Sequence, residues 1–261
     1  MCPETGMDEK LKRYFKRHIH SYLRTESARQ PGNASQLAEW LARYLSKTKS
    51  DGPVRILDIG GSNGSFLKKI LDAVEYPIEA CNLELVAEYE AHSCDKRIRF
   101  VNGSIFDTCL ESDSFDCVVC RYGLHHFVGR SFRETRNRQG YAAREMVRVL
   151  KSGGILVFEE EIMPAAYLAR AIYSLSRICS VLGIRMGELI RPGLIVCFFT
   201  DSELLNLVGE KGVHPTVVYR RCHSPRLPLQ VMIAFFFHTV SFLTYVLRIE
   251  KESGRLSSSR D

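Results

Sequence analysis

Two adjacent histidines, His125 and His126, follow Cys120-Arg121-Tyr122-Gly123-Leu124, directly after an apolar run. Imidazole titrates near neutrality, so a histidine at the exit of a strand can take a proton from an acceptor molecule. Packing with a bond to backbone is the competing reading for either one. Arg121 and Tyr122 in the same stretch can shape a pocket or hold an acidic group. Upstream, Ile56-Leu57-Asp58-Ile59-Gly60-Gly61-Ser62-Asn63-Gly64-Ser65-Phe66 runs from an apolar strand through a glycine turn into a helix start. Such a turn offers backbone amides and lets main chain approach a ligand closely. Glu84, twenty residues beyond Gly64, ends the next apolar run, where a carboxylate can accept hydrogen bonds from both hydroxyls of a ribose.

These residues need a scaffold, and the apolar pattern supplies one. Val54–Ile59, Ile78–Leu83, Ile98–Val101, Phe115–Cys120 and Ile155–Phe158 are each of strand length. The segments between the first three and before the last can hold helices, which implies successive crossover units and a parallel sheet. Ligands bind such sheets at the carboxyl ends of their strands. Ahead of this unit, Met7 to Arg24 reads as one helix. Leu37, Trp40, Leu41 and Tyr44 form the apolar stripe of a second helix, so that residues 1–50 make a helical cap before a domain over 51–261. An apolar helical insertion, 162–197, follows the fifth strand with Tyr167, Leu168, Ile172, Tyr173, Leu175, Ile178 and Leu182 at helical spacing, most of it expected in the core. Thr200-Asp201-Ser202-Glu203 is a capping-box pattern opening a helix that closes near Gly212.

Of the 261 residues, 45% are hydrophobic and 25% charged, which disfavours disorder, collagen-like repeats and a multi-span membrane protein. Nine cysteines, an odd number without a secretory leader, read as reduced thiols in the cytoplasm. Cys117 and Cys120 point to opposite faces of one strand, and His18 and His20 lack matching ligands, so no metal is assigned. The charge is +6 overall. It is concentrated at the ends: residues 1–50 carry ten basic against five acidic residues, and residues 220–261 seven against three. Basic ends can hold an anionic partner, though a solvated face is the commoner outcome. The same holds for Arg130, Arg133, Arg136 and Arg138, which can grip a carboxylate but more often form the wet side of a helix.

The glycine turn and Glu84 combine with three further segments. Phe100-Val101-Asn102-Gly103-Ser104-Ile105-Phe106-Asp107 follows the third strand, Asp113 to Val119 with Leu124-His125-His126-Phe127 frames the fourth, and Glu145 to Gly154 leads into the fifth. Together they resemble the class I S-adenosylmethionine-dependent methyltransferases over about residues 53–160, and more loosely over 200–238. The resemblance implies a Rossmann-like α/β fold with a seven-stranded, mostly parallel sheet and an antiparallel last strand. It also implies S-adenosylmethionine as cofactor. Asp58, Gly60, Gly61, Ser62 and Gly64 would hold it at the turn, with Ser62 replacing the family's middle glycine. Glu84 and Leu85 would engage the ribose, Ser104 and Ile105 the adenine, and Arg121 would complete the site, with Ser104 standing where the family usually has an aspartate. His125 and His126 lie where the resemblance puts the transferable methyl.

The resemblance implies methyl transfer to oxygen, nitrogen or carbon of a small, partly apolar acceptor, aromatic, quinone-like or lipid-like. Nucleic acid is disfavoured, since the Asn/Asp-Pro-Pro-aromatic tetrapeptide of adenine methyltransferases is absent after the fourth strand. The alternatives are an RNA or protein methyltransferase using the basic termini, and a non-catalytic cofactor-binding or membrane-associated module. Leu227 to Leu247 is free of formal charge and long enough to span a bilayer. A strand buried on both faces explains it better than membrane contact, and Val231–Phe237 is expected as the seventh strand, after a sixth at Thr216–Arg220.

Overall fold

The computed structural model describes residues 6–29, 33–48, 52–186, 190–223 and 240–252. Strands β1 (Val54–Ile59), β2 (Ile78–Glu84), β3 (Ile98–Asn102), β4 (Phe115–Arg121) and β5 (Leu150–Ile162) lie parallel. With β6 (Val213–His223) and β7 (Ser241–Lys251) they form one sheet in the order β3-β2-β1-β4-β5-β7-β6, β7 running antiparallel to both neighbours. The inner strands are buried almost continuously because helices cover both faces. Alternate residues of β4 divide between two cores. Val118 and Cys120 pack under α4 (Phe132–Val149), and Cys117 and Val119 under α2 (Asn33–Thr48) and α3 (Ser65–Asp72), so the two sulfurs do face opposite ways.

In α2, Leu37 and Leu41 form the buried stripe, while Trp40 and Tyr44 stack at its margin with centroids 5.0 Å apart. Helix α3 starts directly after Gly64, whose φ of +82° a side chain would resist, and buries Phe66, Leu67, Ile70 and Leu71. Strand β1 sits between β2 and β4, where the order of crossovers reverses, which leaves a crevice at the carboxyl ends of β1 and β4. The glycine turn and the loop carrying the histidines both leave the sheet there.

Helix α1 (Gly6–Arg29) crosses this edge. Its Tyr14 joins Met163, Phe198 and the inward face of α5 (Ala166–Leu182) in a separate small core. Ile19 packs on Val86 and Tyr89 beyond β2, and Asp8 pairs with Arg138 of α4.

Several expectations are corrected. The seventh strand is Ser241–Lys251, and Val231–Phe237 lies outside the described residues, as does most of the charge-free run. Strand β7 sends Leu243, Tyr245, Leu247 and Ile249 into one core and Val246 into the other, and Arg248 and Glu250 fall toward its far end, so absence of charge was a poor guide to it. Only a 3-10 turn, Ala87–His92, links β2 to β3. Helix α6 (Asp201–Asn206) opens on the expected capping box but ends before Gly209, and Gly212, with φ +82°, turns the chain into β6. Arg138 is not on a wet face but is buried. The α5 stripe splits: Ile172 and Tyr173 are buried, whereas Tyr167, Ile178 and Leu182 are exposed. No helix among the described residues is long and apolar enough to cross a membrane.

Candidate active site

Backbone and side chains from β1 and β2 jointly fix the glycine turn. The Gly60 amide donates to the Leu83 carbonyl at 2.9 Å, and the Asn82 side chain accepts from the Gly61 amide at 3.1 Å and donates to the Ser62 carbonyl at 2.8 Å. A Cβ on Gly61 would lie 2.5 Å from an Asp58 carboxylate oxygen and 2.8 Å from Asn82 Oδ1, so only glycine fits. A Cβ on Gly60 would meet nothing within 4 Å, which leaves that side of the turn open to a ligand. Ser62 takes a left-handed φ of 54°, and its buried hydroxyl has no hydrogen-bond partner. An orphaned donor beside a glycine cradle is the feature a bound polar ligand would satisfy.

Glu84 ends β2 beside the turn. Its carboxylate accepts from the Ser62 amide at 3.0 Å and the Val86 amide at 3.1 Å. Burial raises its pKa to about 7, against the opposing pull of the amide donors from Val86, Ser62 and Leu85. Two oxygens offer about four acceptor sites, so capacity for ribose hydroxyls remains. Leu85 is half-buried beside it. The Gly103 amide and the Asn102 side chain both donate to the Glu84 carbonyl, which ties the third-strand loop to the same place. In that loop Ser104 accepts from the Phe106 amide and is half-buried, while Ile105 is buried in the core under α4.

Arg121 lies on the opposite side of the turn from Glu84. Its guanidinium bonds Glu159 at 2.5 Å and stacks 4.1 Å over the Phe66 ring at the start of α3. Burial works against its charge, but Glu159 and, further down, Asp58 outweigh it and raise its pKa. Asp58, Arg121 and Glu159 thus form a buried charge group behind the turn. Tyr122, at a left-handed φ of 53°, turns the chain away while its amide donates to the Glu159 carbonyl at 2.6 Å.

The two histidines diverge. His125 Nδ1 lies 2.6 Å from Glu160 Oε2, and Glu160 Oε1 accepts the Leu124 amide at 2.7 Å, both in the interior. Burial alone would depress the His125 pKa, but the Glu160 carboxylate more than reverses it and raises it above the ordinary value. Gln139 of α4 donates to the Leu124 and Cys197 carbonyls, and the Cys197 amide donates to the His125 carbonyl, so the loop is held from three sides. His126 instead packs edge-on against Phe15 of α1 at 5.2 Å, and its buried Nδ1 has no hydrogen-bond partner. Burial, with His125 and Arg191 adding to it, holds its pKa well below the usual range, so the ring is neutral.

Asn82, Glu159, Glu160, Gln139 and Phe15 were absent from the sequence-derived set. One signal was present: Glu159-Glu160-Glu161 directly continues the apolar run of the fifth strand, and in an inner strand neighbouring acids cannot all reach water.

Residues 57–158 match a family model described as a methyltransferase domain. A demethylmenaquinone methyltransferase of Clavibacter sepedonicus is 30% identical over 160 residues, 59% of each chain. One from Deinococcus radiodurans is 29% identical over 147 residues, 52% of this chain and 55% of that one. The chain spans about half the length of the curated relatives it matches. Among solved structures, a 1,6-didemethyltoxoflavin-N1-methyltransferase from Burkholderia thailandensis, with bound 1,6-didemethyltoxoflavin and S-adenosylhomocysteine, aligns at a TM-score of 0.56 and 15% identity. The alignment covers 96% of this chain and 92% of that one. At that identity the likeness is one of fold.

Proposed function

We propose that the chain, whose residues 57–158 match a methyltransferase domain model, is a class I S-adenosylmethionine-dependent methyltransferase that methylates an oxygen or ring carbon of a small, partly apolar phenol or hydroquinone. The observation that carries the acceptor class is the buried contact between His125 and Glu160. A base is useful only where the acceptor starts protonated, and loss of the hydroxyl proton makes both the oxygen and the adjoining ring carbons of a hydroquinone nucleophilic. The names of the two bacterial relatives, both demethylmenaquinone methyltransferases, support a quinone-like acceptor.

S-adenosylmethionine, when bound, supplies a methyl group already activated on sulfonium. The chain's own part is to bind, align and exclude water. Gly60, Gly61, Ser62 and Gly64 would bind at the turn, Glu84 with Leu85 would accept from the ribose, and Ser104 and Ile105 would border the adenine. Asp58 and Arg121 would act from behind the turn, each offsetting charge on the other. His125 would take the acceptor's proton on Nε2, since Nδ1 is held by Glu160. His126, kept neutral against Phe15, would wall the site rather than exchange protons.

The test is a tritiated-methyl transfer assay over naphthohydroquinones, phenols, amines and carboxylic acids, with calorimetry of S-adenosylhomocysteine binding run in parallel. Label appearing in hydroquinones or phenols, and absent when their hydroxyls are blocked, supports the reading. Tight S-adenosylhomocysteine binding with label only in amines or carboxylates would overturn the acceptor class and leave the cofactor assignment standing.

A further inference from the structure

Helix α5 turns Ala169, Ile172, Tyr173, Ser176 and Cys179 inward. The outer face of such a helix is normally polar. Here it is not. Tyr167 is 65% exposed, Ile178 55%, Val181 86% and Leu182 64%, and beyond the Gly183 cap Ile184 and Met186 are exposed as well. Among the described residues, the one other large apolar side chain this open is Val217 on the edge strand β6. Ile178 to Met186 spans about one and a half turns of helix and the reversal at Gly183, so these side chains lie close together at the C-terminal end of α5, and exposed apolar patches mark interaction surfaces.

Charge selects the partner. Ala166 to Met186 contains Arg170, Arg177 and Arg185 and no acidic residue. Arg177 also bonds the Arg130 carbonyl, which sets Arg130 beside the helix. We propose that this end of α5 docks on the surface of an anionic lipid bilayer, its apolar side chains entering the headgroup boundary and its arginines facing lipid phosphates. A second copy of the chain fits poorly, because two such faces would bring like charges together. The contact is with a surface only, since α5 has 17 residues and its inner face is occupied by the protein's own core. The inference is independent of the acceptor class.

Co-sedimentation of the full chain with vesicles tests it, using phosphatidylcholine alone and phosphatidylcholine mixed with phosphatidylglycerol. Wild type is expected to pellet with the mixed vesicles and not with the neutral ones. The double variant Val181→Ser/Leu182→Ser removes two exposed side chains, so its thermal unfolding is unchanged while its binding falls by about tenfold or more. Val217→Ser, on the sheet edge, binds as wild type. Failure of wild type to pellet with anionic vesicles overturns the proposal, and so does equal binding by the double variant. Light scattering that shows a dimer lost in Val181→Ser/Leu182→Ser would overturn it too, and give the patch to a second copy.

Discussion

His125, in the turn that follows β4, and Glu160, near the end of neighbouring β5, share a buried 2.6 Å contact, and the second oxygen of the same carboxylate holds the Leu124 amide. Nδ1 faces the carboxylate, so on the proposed reading proton exchange would fall to Nε2. The contact also holds the ring in place, because Glu160 is itself pinned by the backbone of the loop it orients. A structural role alone would place a hydrogen-bonding group here without needing a charge, and that difference is measurable.

Glu160→Gln keeps the shape and removes the charge. With burial then opposed only by the weaker pull of Glu161, the His125 pKa drops, so the acid limb of the rate profile moves to lower pH while the plateau falls by about 10²-fold. In wild type the limb lies above the ordinary histidine value of 6.5, since the neutral ring accumulates only past its raised pKa. Binding of S-adenosylhomocysteine stays as in wild type. A limb that does not move, measured by rate or by nuclear magnetic resonance titration of His125, would assign Glu160 to packing.

Glu84 gives a pH dependence of the opposite origin. Its carboxyl sits near 7 in the folded protein against an ordinary value of 4.5. Between those values the folded chain binds more protons than the unfolded one, so this residue lowers stability as pH rises from 4.5 to 7, by roughly 3 kcal/mol in all. Ribose hydroxyls donate best to the ionised form, so affinity for S-adenosylhomocysteine should strengthen from pH 6 to pH 8. Glu84→Gln should flatten both curves. Calorimetry across that range checks the second, and an affinity that is flat in wild type removes the ribose assignment.

The turn itself separates strain from sterics. Ser62 holds a left-handed backbone at a cost of about 1–2 kcal/mol, part of which glycine would return to unfolded-chain entropy. Ser62→Gly is therefore expected to melt slightly higher than wild type. Gly61→Ala forces a methyl against Asp58 and Asn82 and should cost about 1–3 kcal/mol and most of the cofactor affinity. Thermal unfolding with calorimetry distinguishes them. Equal behaviour of the two variants would mean that the turn is soft.

The first four strands were legible because each is a short apolar run. Of the fifth only its apolar middle, Ile155–Phe158, was, since it extends over Leu150–Ile162 through two glycines and three glutamates. The glycine turn was legible because its residue types have few other uses. Strand β7 was not, since Leu243 to Leu247 are all buried, Thr244 included, yet the strand runs on through exposed Arg248 and Glu250, past the end of the charge-free run. Within the site, Asp58 and the glycines stood out by spacing along one strand and its turn, and Glu84 by ending the next apolar run. Glu160 and Asn82 act across strands, on His125 and on Gly61, and sequence distance hides such partners until the register is known. Arg138 was misread for the same reason: its partner is 130 residues away.

That partner is Asp8, and the pair makes a prediction about α1. Arg138 is 3% exposed, bonded to Asp8 through Nη2 and stacked 3.9 Å over Phe106, with no hydrogen-bond partner for Nε or Nη1. Removing one member of a buried pair costs about 3–5 kcal/mol because the other charge stays behind. Asp8 is half-buried at the start of α1, so the cheaper response is for the helix to lift and admit water to Arg138. Asp8→Asn should accordingly speed amide exchange across α1 and leave the sheet strands protected. Adding Arg138→Met removes the stranded cation and should restore slow exchange. If Asp8→Asn exchanges at wild-type rates, the apolar contacts of Tyr14 and Ile19 hold the helix on their own, and the ion pair contributes nothing to its closure.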